Sequence, residues 1–402
     1  MAALESCVTL EPGVFEFEDH ILFDVTDPVW LLGKRYSPRL DFDEIKHDLL
    51  SRLWFTYRRN FQPIGGTGPT SDQGWGCMLR CGQMMLAQTL IRRHLGRDWK
   101  WERRAENNIY LNVLRQFQDK KDKLYSIHQI AQMGVSEGKQ VGQWFGPNTV
   151  AQVLKKLTVY DDWSLLAVHV ALDNLLIVED VRKVCQSFPR CRRSSDSGSL
   201  SPQPLHSDLD QATAIYERLW RPLLLIIPLR LGLTALNECY IPAIKEFFAM
   251  PQCVGIIGGR PNHALYFVGC VGDDLLYLDP HTVCNATVDL DVPTEQIDDS
   301  SFHCPFIFHM SLSRVDPSLA LGFYCADEQD FERLCVSLKE RLLESSKPAL
   351  FDLQEKRPVS FPKFVPYTGE TTTKTEDLTV IDTFPDTDDD FEILHLPSSS
   401  SS

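Results

Sequence analysis

The chain has 402 residues, 43% of them hydrophobic, and carries 40 Lys and Arg against 55 Asp and Glu, a formal net charge of -15. That length allows two or three domain-equivalents or one large α/β unit, and the apolar fraction excludes a chain disordered throughout. The acidic balance argues against a nucleic-acid partner, which would select a basic face, and twelve cysteines are too sparse for a disulfide scaffold of this size.

The start of the chain lacks a basic segment followed by an apolar run, so no secretory signal is expected. No stretch reaches the roughly 18 apolar residues of a membrane span. The longest apolar run, Leu223 to Leu229, is strand-length and contains Pro228. A cytoplasmic location with free thiols is therefore expected.

In chain order, residues 1–27 alternate aromatic and acidic side chains and read as a mobile arm; Phe15 to Phe23 could fold back over an active-site exit. Phe42 to Asn60 carries Ile45, Leu49, Leu53, Trp54 and Tyr57 at helical spacing. Met78 to Leu95 is a second helix, and Asn148 to Leu157 a third, with Asn148 expected at its cap. Residues 187–211 are rich in Ser, Pro and charge without a period and read as a disordered insertion. Strand-like runs follow at Leu165 to Val170, Leu223 to Leu229, Val254 to Ile257, Ala264 to Val271 and Leu275 to Leu278. Asp327 to Leu343 is a closing amphipathic helix, and residues 356–402 read as a disordered acidic tail. Helices first and clustered strands after favour an α+β fold with a largely antiparallel sheet over an alternating βαβ fold.

Two segments can carry chemistry. At Gly74-Trp75-Gly76-Cys77 a glycine-containing turn runs straight into an apolar helix. The positive end of a helix favours a thiolate there, and the first-turn N–H groups can hold an oxyanion. Taken singly, Cys77 is equally compatible with a small core cysteine. Cys81 lies one turn on and reads as packing. At Asp279-Pro280-His281 an extended backbone puts Asp279 and His281 on one face, where the carboxylate can orient the imidazole and stabilise its cation. Alone, that tripeptide is more simply a polar strand end; joined to Cys77 it completes the set a thiol hydrolase needs. The glycine-rich Ile64 to Thr70 lacks the Gly-Lys-Ser/Thr ending of a phosphate loop, and no cysteine pair has zinc-site spacing, so neither cofactor nor metal is expected.

The runs Gly74 to Gln83 and Tyr277 to Thr282, with Leu53 to Arg58, Gly142 to Thr149, Pro228 to Gly232 and Gly258 to Asn262, make the chain resemble the autophagins over about residues 28–350. These are papain-like cysteine endopeptidases with a small auxiliary subdomain, and the animal A and B paralogues are the nearest in pattern. The resemblance implies a catalytic domain at 28–355. It implies Cys77 as nucleophile, His281 as base and Asp279 as orienter, with Tyr57 at the oxyanion hole. It implies that Trp144 flanks a narrow substrate channel, and that Gly258, Gly259, Arg260, Pro261 and Asn262 form a regulatory loop with Pro261 against Trp144. His263 stands where a small residue is expected.

The implied substrates are autophagy ubiquitin-like proteins of the light-chain-three and GABARAP type, in precursor and phosphatidylethanolamine-conjugated forms, cleaved after a C-terminal glycine by a monomer. In the tail, Phe391, Glu392, Ile393 and Leu394 follow an acidic run and suit strand addition to such a partner. The alternatives are a non-catalytic binder of the same proteins, and another papain-like thiol enzyme such as an amidotransferase or deubiquitinase.

Overall fold

The computed structural model describes residues 25–103, 107–187, 220–285, 290–344 and 348–369. The elements run β1 (Val29–Leu31), β2 (Lys34–Tyr36), α1 (Phe42–Leu50), β3 (Tyr57–Arg59), α2 (Cys77–Leu95), α3 (Asn108–Arg115), α4 (Ile127–Met133), α5 (Pro147–Leu157), β4 (Ala167–Val170), β5 (Leu175–Ile177) and α6 (Val178–Gln186). After the undescribed 188–219 come β6 (Leu223–Arg230), α7 (Ile241–Ala249), β7 (Cys253–Arg260), β8 (His263–Val271), β9 (Asp274–Leu278), β10 (Val283–Asn285), β11 (Phe308–Ser311), β12 (Ser318–Cys325), α8 (Glu328–Ser337) and β13 (Asp352–Gln354).

One sheet organises the body, in the order β11-β9-β8-β7-β12-β6-β4, with β1 and β2 added at the end of β8. All its pairings are antiparallel except β4 with β6. The central strands are covered on both faces: β7 and β8 are buried along almost their whole length, and so is Leu223–Ile227 of β6. Unbroken apolar runs are what such strands require. Pro228 is tolerated because β4 pairs only with Leu223 to Ile226, so the missing N–H lies beyond the end of that neighbour. Helix α2 packs across β7 and β8, and α5 against β4, β6 and β12. From Cys77 to Ile91 every residue of α2 is buried, the mark of a helix inside the core rather than on its surface. Among the described residues no helix is long and apolar enough to cross a membrane.

Four expectations change. The first helix stops at Leu50; Leu53 to Tyr57 leave it, and Tyr57 opens the short strand β3, which runs parallel to β10. Ser51 and Arg52 turn back to carbonyls of the helix's last turn while Arg52 reaches the buried Asp48 carboxylate, so the helix ends in a polar knot. Helix α5 is capped by Gly146 with Pro147 in its first turn, not by Asn148. The closing helix keeps α geometry only to Ser337 and continues as a π turn over Leu338–Leu343. Residues 356–369, expected within the disordered tail, lie against the body: the Arg357 guanidinium pairs with Asp180, and Phe364 meets the His169 ring edge-on. The arm at 1–24, most of the insertion and the Phe391 to Leu394 motif lie outside the described residues.

Candidate active site

The turn before Cys77 is built around Asp72. Its carbonyl accepts the Trp75 and Gly76 N–H groups at 3.2 and 2.8 Å, closing the chain back on itself just as the helix starts. Its carboxylate accepts the Arg58 N–H at 2.7 Å and faces the Arg80 guanidinium at 2.8 and 3.2 Å. Arg80 also meets Asp119 at 3.0 and 3.3 Å. Burial works against the Arg80 charge, and the carboxylates of Asp119 and Asp72 outweigh it, so the guanidinium is held protonated. Gly76 is required by close approach: a Cβ there would stand 2.4 Å from Asp72 Oδ2. The result is a helix whose first residue is Cys77, tied through Asp72 to the strand that carries Tyr57.

His281 follows the end of β9. Its Nδ1 donates to Asp279 Oδ1 at 2.6 Å, and its backbone N–H to the same oxygen at 2.9 Å. Asp279 is fixed in turn: its carbonyl accepts the Trp54 indole N–H at 2.7 Å, and Pro280 O accepts the Tyr57 N–H at 2.8 Å. Burial alone would raise the Asp279 carboxyl, but the His263 and His281 imidazoles hold it well below the usual carboxylate range. Burial pushes the His281 imidazole down, and the Asp279 carboxylate only partly restores it. Among the described residues, buried His281 Nε2 has no hydrogen-bond partner. The Tyr57 ring stands edge-on to the His281 ring, 5.3 Å between centroids and 86° between planes. Cys77 and Asp279 belong to one neighbourhood: burial, then the charges of those two groups, push the Cys81 thiol well above its ordinary value.

A curated family model for the Peptidase C54 catalytic domain matches residues 42–337. The chain is 49% identical over 391 residues to "Cysteine protease ATG4B" of Xenopus laevis, spanning 96% of this chain and 99% of that one. It is 49% identical over 377 residues to "Cysteine protease ATG4A" of Gallus gallus, spanning 93% and 98%, and 47% identical over 407 aligned residues to "Cysteine protease ATG4A" of Homo sapiens, spanning 96% and 100%. The chain belongs to the Peptidase C54 family, the autophagins. It is therefore a papain-like, autophagy-related cysteine peptidase, and the α+β expectation stands with it.

Within this autophagin, Asp279, His281 and Tyr57 are in contact as one group, and Cys77, the first residue of α2, shares with Asp279 an electrostatic effect on Cys81. Trp144 lies on the loop before α5, half-buried against the core, its indole N–H without a hydrogen-bond partner among the described residues. The segment expected as a regulatory loop is the end of a hairpin. Gly258, Gly259 and Arg260 are the last residues of β7 and pair with Leu265, Ala264 and His263; only Pro261 and Asn262 form the turn, and both are exposed. Gly259 has φ 143° and no room for a Cβ, which would lie 2.1 Å from His263 O. That tight crossing is why a Gly-Gly pair reads as loop in sequence yet folds as strand.

Two elements of the site escaped the sequence reading. Asp72 and Arg80 carry no motif, since their link spans eight positions and is closed by Asp119, 39 further on. His263 signalled itself only as an unexpected residue. Its ring lies flat against His281, 3.6 Å between centroids and 7° between planes, with Nε2 3.6 Å from Asp279 Oδ2. Ligating atoms of His263, Asp279 and His281 fall within 4.8 Å of one another, a spacing that could accept a metal ion, although the short Nδ1 to Oδ1 bond already engages one atom of each of two of them.

Proposed function

We propose that Cys77 is the nucleophile, His281 the general base and Asp279 its orienting carboxylate, in an endopeptidase that cuts after the C-terminal glycine of autophagy ubiquitin-like proteins. One observation carries the base assignment. His281 is pinned at Nδ1 by Asp279, so the proton sits there, and its opposite nitrogen, Nε2, is buried and open. That is the tautomer able to take a proton from a thiol at the start of α2.

The Cys77 proton passes to His281 Nε2, and the sulfur attacks the glycine carbonyl carbon. The negative oxygen of the tetrahedral intermediate is held by the Cys77 N–H, which at a helix start has no carbonyl acceptor within the helix, and by the Tyr57 hydroxyl. His281 returns the proton to the departing nitrogen as the C–N bond breaks, leaving a thioester. Water then attacks, gives its proton to His281, and releases a glycine carboxylate and the free thiol. The departing nitrogen belongs to a peptide or to the amine of phosphatidylethanolamine, so precursor trimming and delipidation use one site. A slot flanked by Trp144 and Pro261 selects glycine by excluding a side chain beside the scissile bond.

Cys77 is only 1% exposed and His281 0%, so this conformation is closed to substrate. Access requires movement above them, and the exposed Pro261-Asn262 turn is the segment assigned to it. The tail motif Phe391 to Leu394 gives a second hold on the same partner. The chain acts as a cytoplasmic monomer without cofactor.

The test is incubation of the wild-type chain and Cys77→Ser with a precursor ubiquitin-like protein bearing residues beyond its glycine. Cleavage by the wild type alone is expected; no cleavage, or equal cleavage by both, contradicts the reading. The non-catalytic binder predicts the first of those contradictions.

A further inference from the structure

His263 is the first residue of β8, directly across the hairpin turn from Arg260. Its side chain is 16% exposed, so most of the ring is packed. It packs on the imidazole of His281, face to face at 3.6 Å and 7°. Asp279 divides its two oxygens between these rings. Oδ1 accepts both the backbone N–H and the Nδ1–H of His281, and Oδ2 faces His263 Nε2 at 3.6 Å, in ion-pair range. The Asp279 carboxylate would otherwise hold His281 from one oxygen only and could pivot about its own Cβ–Cγ bond. The His281 ring, with one face open, could rotate away from the thiol.

We propose that His263 is a positioning residue for the catalytic base: a second imidazole that closes one face of His281 and engages the second oxygen of Asp279. It acts through His281 and Asp279 rather than on the substrate. The inference rests on the triad assignment above and deepens it. The arrangement also ties the base to the β7–β8 hairpin, because the residue that braces His281 is carried on that hairpin. The charged and titratable groups that face His263 are Arg260 across the turn, Asp279 and His281.

Two readouts test it, on the full-length chain. The first is kcat and KM for cleavage of the precursor by wild type, His263→Ala, His263→Gln and His263→Phe. Misplacement of a reacting group by about 1 Å costs on the order of 100-fold in rate, so a partial loss of bracing in His263→Ala should lower kcat by about 10-fold or more, with KM unchanged. His263→Gln restores a donor at the Nε2 position and His263→Phe restores a ring against His281, so each should recover part of the loss. The second readout needs no substrate: the rate at which iodoacetamide alkylates Cys77, located by peptide mass spectrometry. It should fall by a similar factor in His263→Ala and recover in His263→Gln. Thermal unfolding of each variant separates bracing from folding.

Wild-type kcat and alkylation in His263→Ala overturn the proposal. So does a loss of equal size in all three variants, or one that tracks unfolding temperature rather than donor and ring. A chain that shows the His263 dependence of alkylation but cleaves no ubiquitin-like precursor refutes the substrate reading and leaves the brace standing.

Discussion

Replacing Asp72 by Ala should weaken both the fold and the site, for a reason confined to one buried cluster. The carboxylate is fully buried, accepts the Arg58 N–H at 2.7 Å and bonds two nitrogens of a buried Arg80. Removing it leaves a buried guanidinium with the Asp119 carboxylate and the neutral Gln83 oxygen, and a buried N–H without its side-chain acceptor. Breaking a buried ion pair from one side costs about 3–5 kcal/mol. Against a total stability of about 5–15 kcal/mol, that is a large share. With an unfolding entropy of about 2.1 cal/mol/K per residue over about 300 residues, each kcal/mol moves the melting temperature by roughly 1.6 °C, so a fall of about 5–8 °C is expected. Asp72→Asn keeps the acceptor for Arg58 and loses only the charge, so it should fall between Asp72→Ala and wild type. Urea unfolding at pH 7 is the assay, read together with cleavage rate at a temperature where both variants are folded. Since the Asp72 carboxylate ties the start of α2, through Arg80, to the Arg58 N–H of the strand that carries Tyr57, the folded Ala variant should cleave more slowly. A stability change below about 1 kcal/mol, or the reverse order of Ala and Asn, would refute the reasoning.

The remaining predictions concern charge in the core and the tail. Burial pushes the His169 imidazole down to about 3. The unfolded chain, with a His value of about 6.5, then binds the proton first, so stability is full above that pH and falls as pH drops toward 3. At about 1.4 kcal/mol per unit the loss approaches about 5 kcal/mol at pH 3; His169→Leu should flatten the dependence of urea midpoint on pH between 6.5 and 4, and an unchanged slope removes His169 as its source. The double variant Phe391→Ala with Leu394→Ala should weaken binding to a ubiquitin-like partner by calorimetry while leaving cleavage of a short peptide substrate unchanged. Equal affinity removes the tail motif from the account.

What the sequence showed and what it hid follow the range of the interactions. The strands were legible because burial on both faces demands unbroken apolar runs, as in Leu223 to Ile227. The helix at Cys77 was legible because glycines, then an apolar stretch, mark a start within a few residues. Asp279 and His281 are legible because they stand two apart just past an apolar strand, close enough for one carboxylate oxygen to take both the backbone N–H and the ring N–H of His281. Tyr57 was misplaced on a helix because Leu53, Trp54 and Tyr57 continue the spacing of Ile45 and Leu49, while what ends the helix is a tertiary knot of Asp48, Arg52, Arg97 and Lys100. Tyr57 nevertheless reaches His281, since its strand is held by Pro280 and by β10. The Gly258-Gly259 pair reads as a loop in sequence because local preference cannot register how closely His263 crosses behind it. Asp72 and Arg80 form their cluster only through Asp119 and Arg58, contacts no local pattern encodes.

The central claim is that Cys77 becomes covalently attached to the glycine carbonyl of the substrate. Mixing excess enzyme with a precursor ubiquitin-like protein, quenching in acid within the first turnover and measuring intact mass tests it directly. The account predicts an adduct of one substrate body ending in glycine, joined to the chain as a thioester and mapped to Cys77. Product formation with no such adduct, or an adduct mapped to Cys81 or another thiol, would contradict it.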